Sequence, residues 1–241
     1  MICERRKPNP IIVTGGCGFI GSNLIRHLLN ARPASRIVNV DLLTYAGNPA
    51  NLADLQGHPR YVHLREDIAE LASMKTVFAS WTPWSVINCA AETHVDRSLE
   101  NGLDFVRTNV VGTQVLLELA REHGSRFVQV STDEVYGSLG QTGKFREDMP
   151  MLPSSPYAAS KAAADMMVLA AHHSYGQDVV VTRCSNNYGP YQYPEKLIPL
   201  MITNALEDQP LPVYGRGDNV RDWIYVEDHC TGLLAALENG E

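Results

Sequence analysis

Hydrophobic and polar positions follow two periods along this chain. Short runs rich in Val and Ile fall at 10–14, 36–40, 60–64, 85–89, 126–131 and 178–182. Between most of them lie longer stretches with helical spacing, at 19–31, 70–80, 103–123 and 157–175. Strands that alternate with helices make βαβ units and a parallel sheet, and strands apolar at nearly every position are buried on both faces. The pattern predicts an α/β fold, a Rossmann-type doubly wound parallel sheet. It is strongest through residue 183; the segment 185–222 is rich in Tyr, Pro, Asn and Gly, with one short helical stretch near 197–207. A last helical pattern starts near Glu227. That texture predicts a small lobe laid over the carboxyl edge of the sheet, where α/β folds bind ligands. The expected division is 1–184 for the sheet domain and 185–241 for a lobe interleaved with it.

Composition narrows the class. The chain has 241 residues, 44% hydrophobic and 20% charged, enough to bury a sizeable core. No uninterrupted apolar run is long enough to cross a bilayer. The opening MICERRKPNP lacks the apolar centre of a secretory signal, so a cytoplasmic address is expected. A net charge of −7 argues against nucleic acid as a partner. Cys3, Cys17, Cys89, Cys184 and Cys230 are scattered and form no C-x-x-C pair, so neither a disulfide framework nor a zinc site is expected. His172 and His173 are adjacent on a helix and cannot converge on a metal.

Residues 11–21 read IIVTGGCGFIG: a strand, then Gly15, Gly18 and Gly21 at the mouth of a helix. Glycines permit the tight turn and let backbone approach a pyrophosphate, while the helix N-terminus offers unpaired N–H donors. Asp41 ends the next strand, 20 residues past Gly21. A carboxylate there accepts both ribose hydroxyls and repels a 2′-phosphate, so NAD is the expected cofactor. Asp67, after the third strand, is placed either at the adenine edge or as a plain helix N-cap. The Gly-x-x-Gly-x-x-Gly spacing is similar to that of the extended short-chain dehydrogenase/reductases.

Tyr157-Ala-Ala-Ser-Lys161 opens a helix behind Ser154, Ser155 and Pro156, which suit its cap and first turn. Positions four apart share a face, so Lys161 reaches the pocket of the Tyr157 phenol. A phenol with a pKa of about 10 is a poor base at neutral pH; a neighbouring ammonium, with a cationic nicotinamide, favours phenolate. An ordinary exposed Tyr/Lys pair has the same spacing, but the dinucleotide fingerprint upstream turns the choice toward catalysis.

Residues 128–137 read VQVSTDEVYG, a buried strand opening into Ser131, Thr132, Asp133 and Glu134. Two adjacent carboxyl groups at a strand end suit acid–base work; a capped turn would also use them. With that stretch the chain resembles the dTDP-glucose 4,6-dehydratases along essentially its whole length. The matching stretches are TGGCGFIGS, DLLTYAGN, AAETHVDRS, TNVVGT, STDEVYG, YAASK, SNNYGPYQYPEKLIP and NVRDWIYVEDH.

The resemblance implies a three-step reaction with NAD used and restored, converting dTDP-glucose to the 4-keto-6-deoxy sugar of deoxysugar biosynthesis. Tyr157 would take the C4 hydroxyl proton, Glu134 the C5 proton, Asp133 would protonate the departing C6 hydroxyl, and Thr132 would bond the C4 oxygen. Elimination needs one carboxylate and one carboxylic acid side by side, whatever the family. The resemblance further implies that Gly15, Gly18, Phe19, Ile20, Gly21, Asp41, Leu42, Thr44, Asp67, Ile68, Ala90, Ala91, Thr108, Tyr157, Lys161 and Asn187 touch NAD. Thr93, Thr132, Asn186, Lys196, Leu197, Pro212, Tyr214 and Arg221 would hold the nucleotide sugar. His94, in the same loop as Thr93, reads as structural. Family members continue past the equivalent of Glu241, so the lobe is expected to be incomplete. The helices at 103–121 and 157–175 suit a two-fold interface, which implies a homodimer. Two other readings stay open: another nucleotide-sugar enzyme of this fold, an epimerase or a dehydratase acting on a UDP or CDP sugar, and a non-catalytic NAD-binding scaffold.

Overall fold

In the computed structural model, residues 10–140, 142–213 and 215–241 are described; Cys3 and Tyr214 lie outside them. Six strands form one parallel sheet: β1 (Ile11–Thr14), β2 (Ile37–Val40), β3 (Tyr61–Leu64), β4 (Ser85–Asn88), β5 (Arg126–Thr132) and β6 (Val179–Cys184). Their order is β3-β2-β1-β4-β5-β6, so the winding reverses between β1 and β4. Each lies within a residue or two of its expected place, and the doubly wound parallel sheet is borne out.

Alternation within β1 divides the core. Ile11 and Val13 face α1 (Phe19–Ala31) and α8 (Val226–Asn239), beside Leu24, Leu28 and Leu233. Ile12 faces the opposite layer with Phe78, Val86, Leu116, Phe127 and Val168. That layer is built by α2 (Leu71–Trp81), α5 (Thr113–Glu122) and α6 (Pro156–Tyr175). Both faces of the sheet are thus covered, which is why its strands carry no polar alternation. Burying each Val, Leu or Ile side chain contributes about 1.5–3 kcal/mol.

Local chemistry sets the ends of α6. Ser155 accepts from the Ala158 N–H at 3.1 Å, Pro156 fills the first turn, and Gly176 ends the helix at φ 64°. Ahead of α5 the chain is less regular. A short α3 (Val95–Glu100) leads to α4 (Gly102–Phe105), then to a π-helical segment, Val106–Gly112, that runs into α5. Such segments are frequent at functional sites.

After β6 the chain makes β7 (Asn186–Tyr188), α7 (Leu197–Leu206) and β8 (Trp223–Tyr225), with β7 and β8 paired in parallel as a separate small sheet. α8 then returns to pack on α1. His229 on α8 joins the two parts: it is buried, and its Nδ1–H donates to Asn187 Oδ1 at 2.8 Å. No helix among the described residues is long and apolar enough to cross a membrane.

The turn after β1 is closed by backbone contact. Gly15 sits at φ +65°, and a Cβ there would lie 2.7 Å from the Ala90 backbone. A Cβ on Gly21 would lie 2.3 Å from the Gly15 carbonyl oxygen, with no flexible side chain to yield. Gly21→Ala should therefore cost about 2–4 kcal/mol. Thermal unfolding should show it as a melting temperature lower by several degrees; an unchanged value would mean that the crossing is looser than described.

Burial also drives the His229 pKa down from 6.5 to about 4. The unfolded chain takes up this proton near the upper value and the folded chain only near the lower, so stability falls as pH drops between them. The loss should reach up to about 3 kcal/mol. In urea unfolding at stepped pH, His229→Gln should flatten that slope, and an undiminished slope would place the acid sensitivity elsewhere.

Candidate active site

Strand ends at the reversal point open a cleft of about 860 Å³ along the carboxyl edge of the sheet. One end is the glycine turn. Gly18 caps α1 with no side chain, and no acid occupies the first helical turn. The amide donors there face the cleft unopposed, which suits a diphosphate. The tight crossing at Gly15 and Gly21 leaves room for backbone alone, so this end fits a dinucleotide.

Asp41 lines the cleft at the end of β2 and is buried. Its Oδ2 accepts from the Cys17 N–H at 2.8 Å and its Oδ1 from the Leu43 N–H at 2.8 Å. It therefore fixes the glycine turn as well as facing the cleft, a second role its position in sequence did not reveal. Asp67 does not cap α2; Glu70 holds that position. Asp67 Oδ1 accepts from the Ala69 N–H, and Oδ2 from Arg107 Nη1 at 2.5 Å.

Beneath the centre lies a buried polar network at the reversal point. Thr14 Oγ1 donates to Asn88 Oδ1 at 2.6 Å, and Asn88 Nδ2 donates to Thr113 Oγ1 and Gln129 Oε1. Asn109, in the π-helical segment, clamps the Glu92 backbone from both sides and donates to Ser160 Oγ at 2.8 Å. These bonds tie β1, β4, β5 and α6 together under the cleft floor.

At the other end, β5 delivers Thr132 and α6 delivers Tyr157 and Lys161. Thr132 caps a 3-10 turn, Asp133–Tyr136, by accepting from the Glu134 N–H at 3.3 Å. Capped turn and cleft wall are the same residues. Both carboxyls are pushed above the ordinary range. For Asp133 the cause is burial, offset by bonds from Thr132 and nearby backbone amides and by Arg221. For Glu134, the exposed member, it is the enclosing cleft walls and then Asp133, offset by Arg221 and Lys196.

Burial, then Glu134, raises the Tyr157 phenol well above its usual value, while the Thr132 hydroxyl opposes the shift. Lys161 donates from Nζ to the Val130 carbonyl at 2.7 Å. Burial lowers its pKa, against Asp165, Cys184 and Cys89. The chain's own groups thus favour the protonated phenol.

All five residues expected to be catalytic line this one cleft: Thr132, Asp133, Glu134, Tyr157 and Lys161. So do all the residues expected to touch the cofactor, from Gly15 to Asn187, along with Thr93, Asn186 and Lys196. Leu197 and Pro212 do not line it, the first being half-exposed at the start of α7. Arg221 is exposed on the loop before β8 and donates to its own Val220 carbonyl, with its charge acting on Asp133 and Glu134. His94 caps α3 through Nδ1 and faces Glu195 through Nε2 at 3.3 Å, in keeping with its structural reading.

Tyr45, Glu92, Tyr193 and Glu195 line the cleft without having been singled out. Arg97 covers the Tyr45 ring at 3.8 Å, and Tyr193 meets that ring edge-on. Their signal lay in the stretches 41–48, 90–98 and 185–199. The four described cysteines are free, and burial raises the thiols of Cys17 and Cys184 to about 11. Among the described residues no cluster could hold a metal ion.

Comparison with known proteins agrees with this geometry. The family model described as GDP-mannose 4,6 dehydratase matches residues 12–241. A dTDP-glucose 4,6-dehydratase of Xanthomonas campestris pv. campestris is 50% identical over 239 residues, covering 95% of this chain and 68% of the relative. The Escherichia coli K12 dTDP-glucose 4,6-dehydratase 1 is 49% identical over 250 residues, covering 96% and 69%. Among solved structures, the dTDP-glucose 4,6-dehydratase of Bacillus anthracis in complex with NAD superposes with a TM-score of 0.91 at 49% identity, covering 97% of this chain and 73% of that one. A UDP-glucose 4-epimerase of Thermotoga maritima superposes at 0.88 with 29% identity, covering 95% and 73%. The likeness to dehydratases reaches across the glycine turn, the carboxyl pair and the Tyr157/Lys161 helix, and the chain belongs to the dTDP-glucose 4,6-dehydratase family of the extended short-chain dehydrogenases/reductases.

Proposed function

We propose that this protein is an NAD-dependent dTDP-glucose 4,6-dehydratase, and the observation that carries the reading is the Asp133/Glu134 pair facing Tyr157 across one cleft. In this reading residues 1–184 form the NAD-binding domain and 185–241 the substrate lobe, interleaved because α8 packs on α1. Bound NAD supplies a transient hydride acceptor for C4 and donor for C6. The phenol of Tyr157 lies among groups that hold its proton, so it becomes a base for the C4 hydroxyl when the cationic cofactor is beside it. Lys161 is anchored on Val130 in the same pocket, and Asp165 favours its charged form against burial.

A ketone at C4 acidifies the neighbouring C5–H. Glu134 takes that proton, Asp133 delivers one to the C6 hydroxyl, and water leaves; as hydride is added at C6, Glu134 gives its proton back to C5, and the proton Tyr157 took from the C4 hydroxyl replaces the one Asp133 lost. The net change is loss of water to a 4-keto-6-deoxy sugar. Arg221 and Lys196 place positive charge near the pair and suit the substrate diphosphate. An epimerase needs no acid beside its base at this position, so the pair favours dehydration over the epimerase reading. A scaffold needs neither pair. The four free cysteines fit a cytoplasmic address.

The outer face of α6 carries apolar side chains to the surface, including Met166 and Leu169 on one strip, and Leu103 on α4 with Val106 and Val111 of the π-helical segment are exposed as well. A second copy of the chain on this face would cover them, giving a homodimer.

Incubation with dTDP-glucose and no added NAD should yield a 4-keto sugar, read by its alkali-induced absorbance. Product from UDP-glucose instead would move the substrate assignment; none from any nucleotide sugar, with NAD bound, would favour the scaffold. Glu134→Gln should still oxidise C4 but lose water at least about a hundredfold more slowly. Dehydration at the normal rate in that variant removes Glu134 as the base. For the assembly, light scattering should give a dimer that Met166→Glu with Leu169→Glu converts to monomer, and a monomeric parent chain overturns the interface.

A further inference from the structure

Two acid–base pairs meet in this cleft from different elements: Tyr157 and Lys161 on α6, Asp133 and Glu134 on the turn after β5. Work at neighbouring atoms of one substrate requires that the pairs keep a fixed mutual position, since small misplacements are costly in rate. Capping and helix geometry order each pair internally but not against the other.

Asp165 lies one turn beyond Lys161 on α6 and is fully buried, outside the cleft lining. Its Oδ2 accepts from Arg183 Nε on β6 at 2.8 Å. The same guanidinium donates from Nη1 to the Tyr136 hydroxyl at 2.7 Å, and its central carbon stands 5.1 Å from the centre of the Tyr136 ring. Tyr136 closes the turn that Asp133 and Glu134 open. Arg183 is also held in register opposite Ser131, the residue before Thr132. One planar group therefore bridges the two elements that carry the two pairs. Buried ion pairs are often replaceable by apolar residues without loss of stability, so stability alone gives little reason for a buried carboxylate here.

We infer that Asp165, Arg183 and Tyr136 form a brace that locks α6 to the 133–136 turn, and that they are positioning residues holding Glu134 in reach of C5 while Tyr157 acts at C4. The inference rests on the dehydratase reading for its chemical consequence. Asp165 also faces Lys161, whose proton it helps retain against burial, with Cys184 and Cys89 acting in the same sense.

Tyr136→Phe isolates the brace. It removes one hydroxyl, keeps the ring stacked on Phe145 and packed with Val135 and Ala162, and leaves the Asp165–Arg183 pair intact. Amide hydrogen exchange in the 133–137 turn should quicken roughly tenfold, with exchange within α6 unchanged. With dTDP-glucose in single turnover, elimination should slow roughly tenfold while C4 oxidation keeps its rate, so reduced cofactor accumulates and KM is unchanged. Arg183→Lys, which keeps the charge beside Asp165 but loses the two-way fork, should show the same partition.

Unchanged exchange in the turn, or equal slowing of oxidation and elimination, overturns the inference. If the parent chain makes no 4-keto product, the dehydratase reading fails by itself, and the exchange measurement alone decides whether the brace exists.

Discussion

The backbone crossing between the end of β1 and the end of β4 leaves no room for a side chain at Gly15, where a Cβ would lie 2.7 Å from Ala90, or at Gly21 against the Gly15 carbonyl. Much of the site depends on that crossing. It turns the N-terminus of α1 toward the carboxyl edge of the sheet, so that free amide donors face the cleft. It holds Cys17 where its N–H meets Asp41, which in turn orders the loop after β2 through Leu43. The polar network from Thr14 through Asn88 to Gln129 then extends the same fixed geometry to β5. A parallel sheet that reverses its winding between β1 and β4 makes a crevice there, and the glycines let it be narrow enough to hold a diphosphate against backbone.

Farther along the cleft the controlling influence changes from contact to desolvation. Tyr157 and Lys161 are nearly enclosed, and each is driven toward its neutral form. Asp133 and Glu134 shift in the same sense. An unliganded fold would be more stable with apolar residues at these places, so their presence marks a site where reactivity takes precedence over stability. Behind them, Arg183 donates to the buried Asp165, so that carboxylate is paired.

Elements and boundaries were legible wherever a local pattern determines them. Six strands were visible because burial on both faces makes them continuously apolar, and the α6 start because Ser155 and Pro156 stand at its cap and first turn. The β7/β8 pair was not visible: three residues such as Asn-Asn-Tyr become a strand only through a partner more than thirty residues away. The π-helical segment left no trace either, since a shift of backbone register has no composition. Within the site, motif residues converged as expected, while Leu197 and Pro212 lay off the cleft and Asp67 proved to be an Arg107 partner rather than a helix cap. Asp165 and Arg183 escaped notice because their meaning is a contact between distant segments.

The two carboxyls of the pair sit in different surroundings, although burial raises the pKa of both. Asp133 is surrounded by donors: Thr132, backbone amides and Arg221 all favour its ionised form against burial. Glu134 has fewer, and it opens to solvent, which moderates the shift it feels. On the proposed reading a sugar seated over Glu134 would remove that solvent, and desolvation makes a carboxylate a stronger base. The substrate thereby completes the environment that its own elimination requires. On the proposed reading Glu134 takes the C5 proton and returns it to C5 as hydride reaches C6, while the proton that Asp133 gives to the C6 hydroxyl is balanced by the one that Tyr157 takes from the C4 hydroxyl, so the cycle closes once that proton passes back to Asp133.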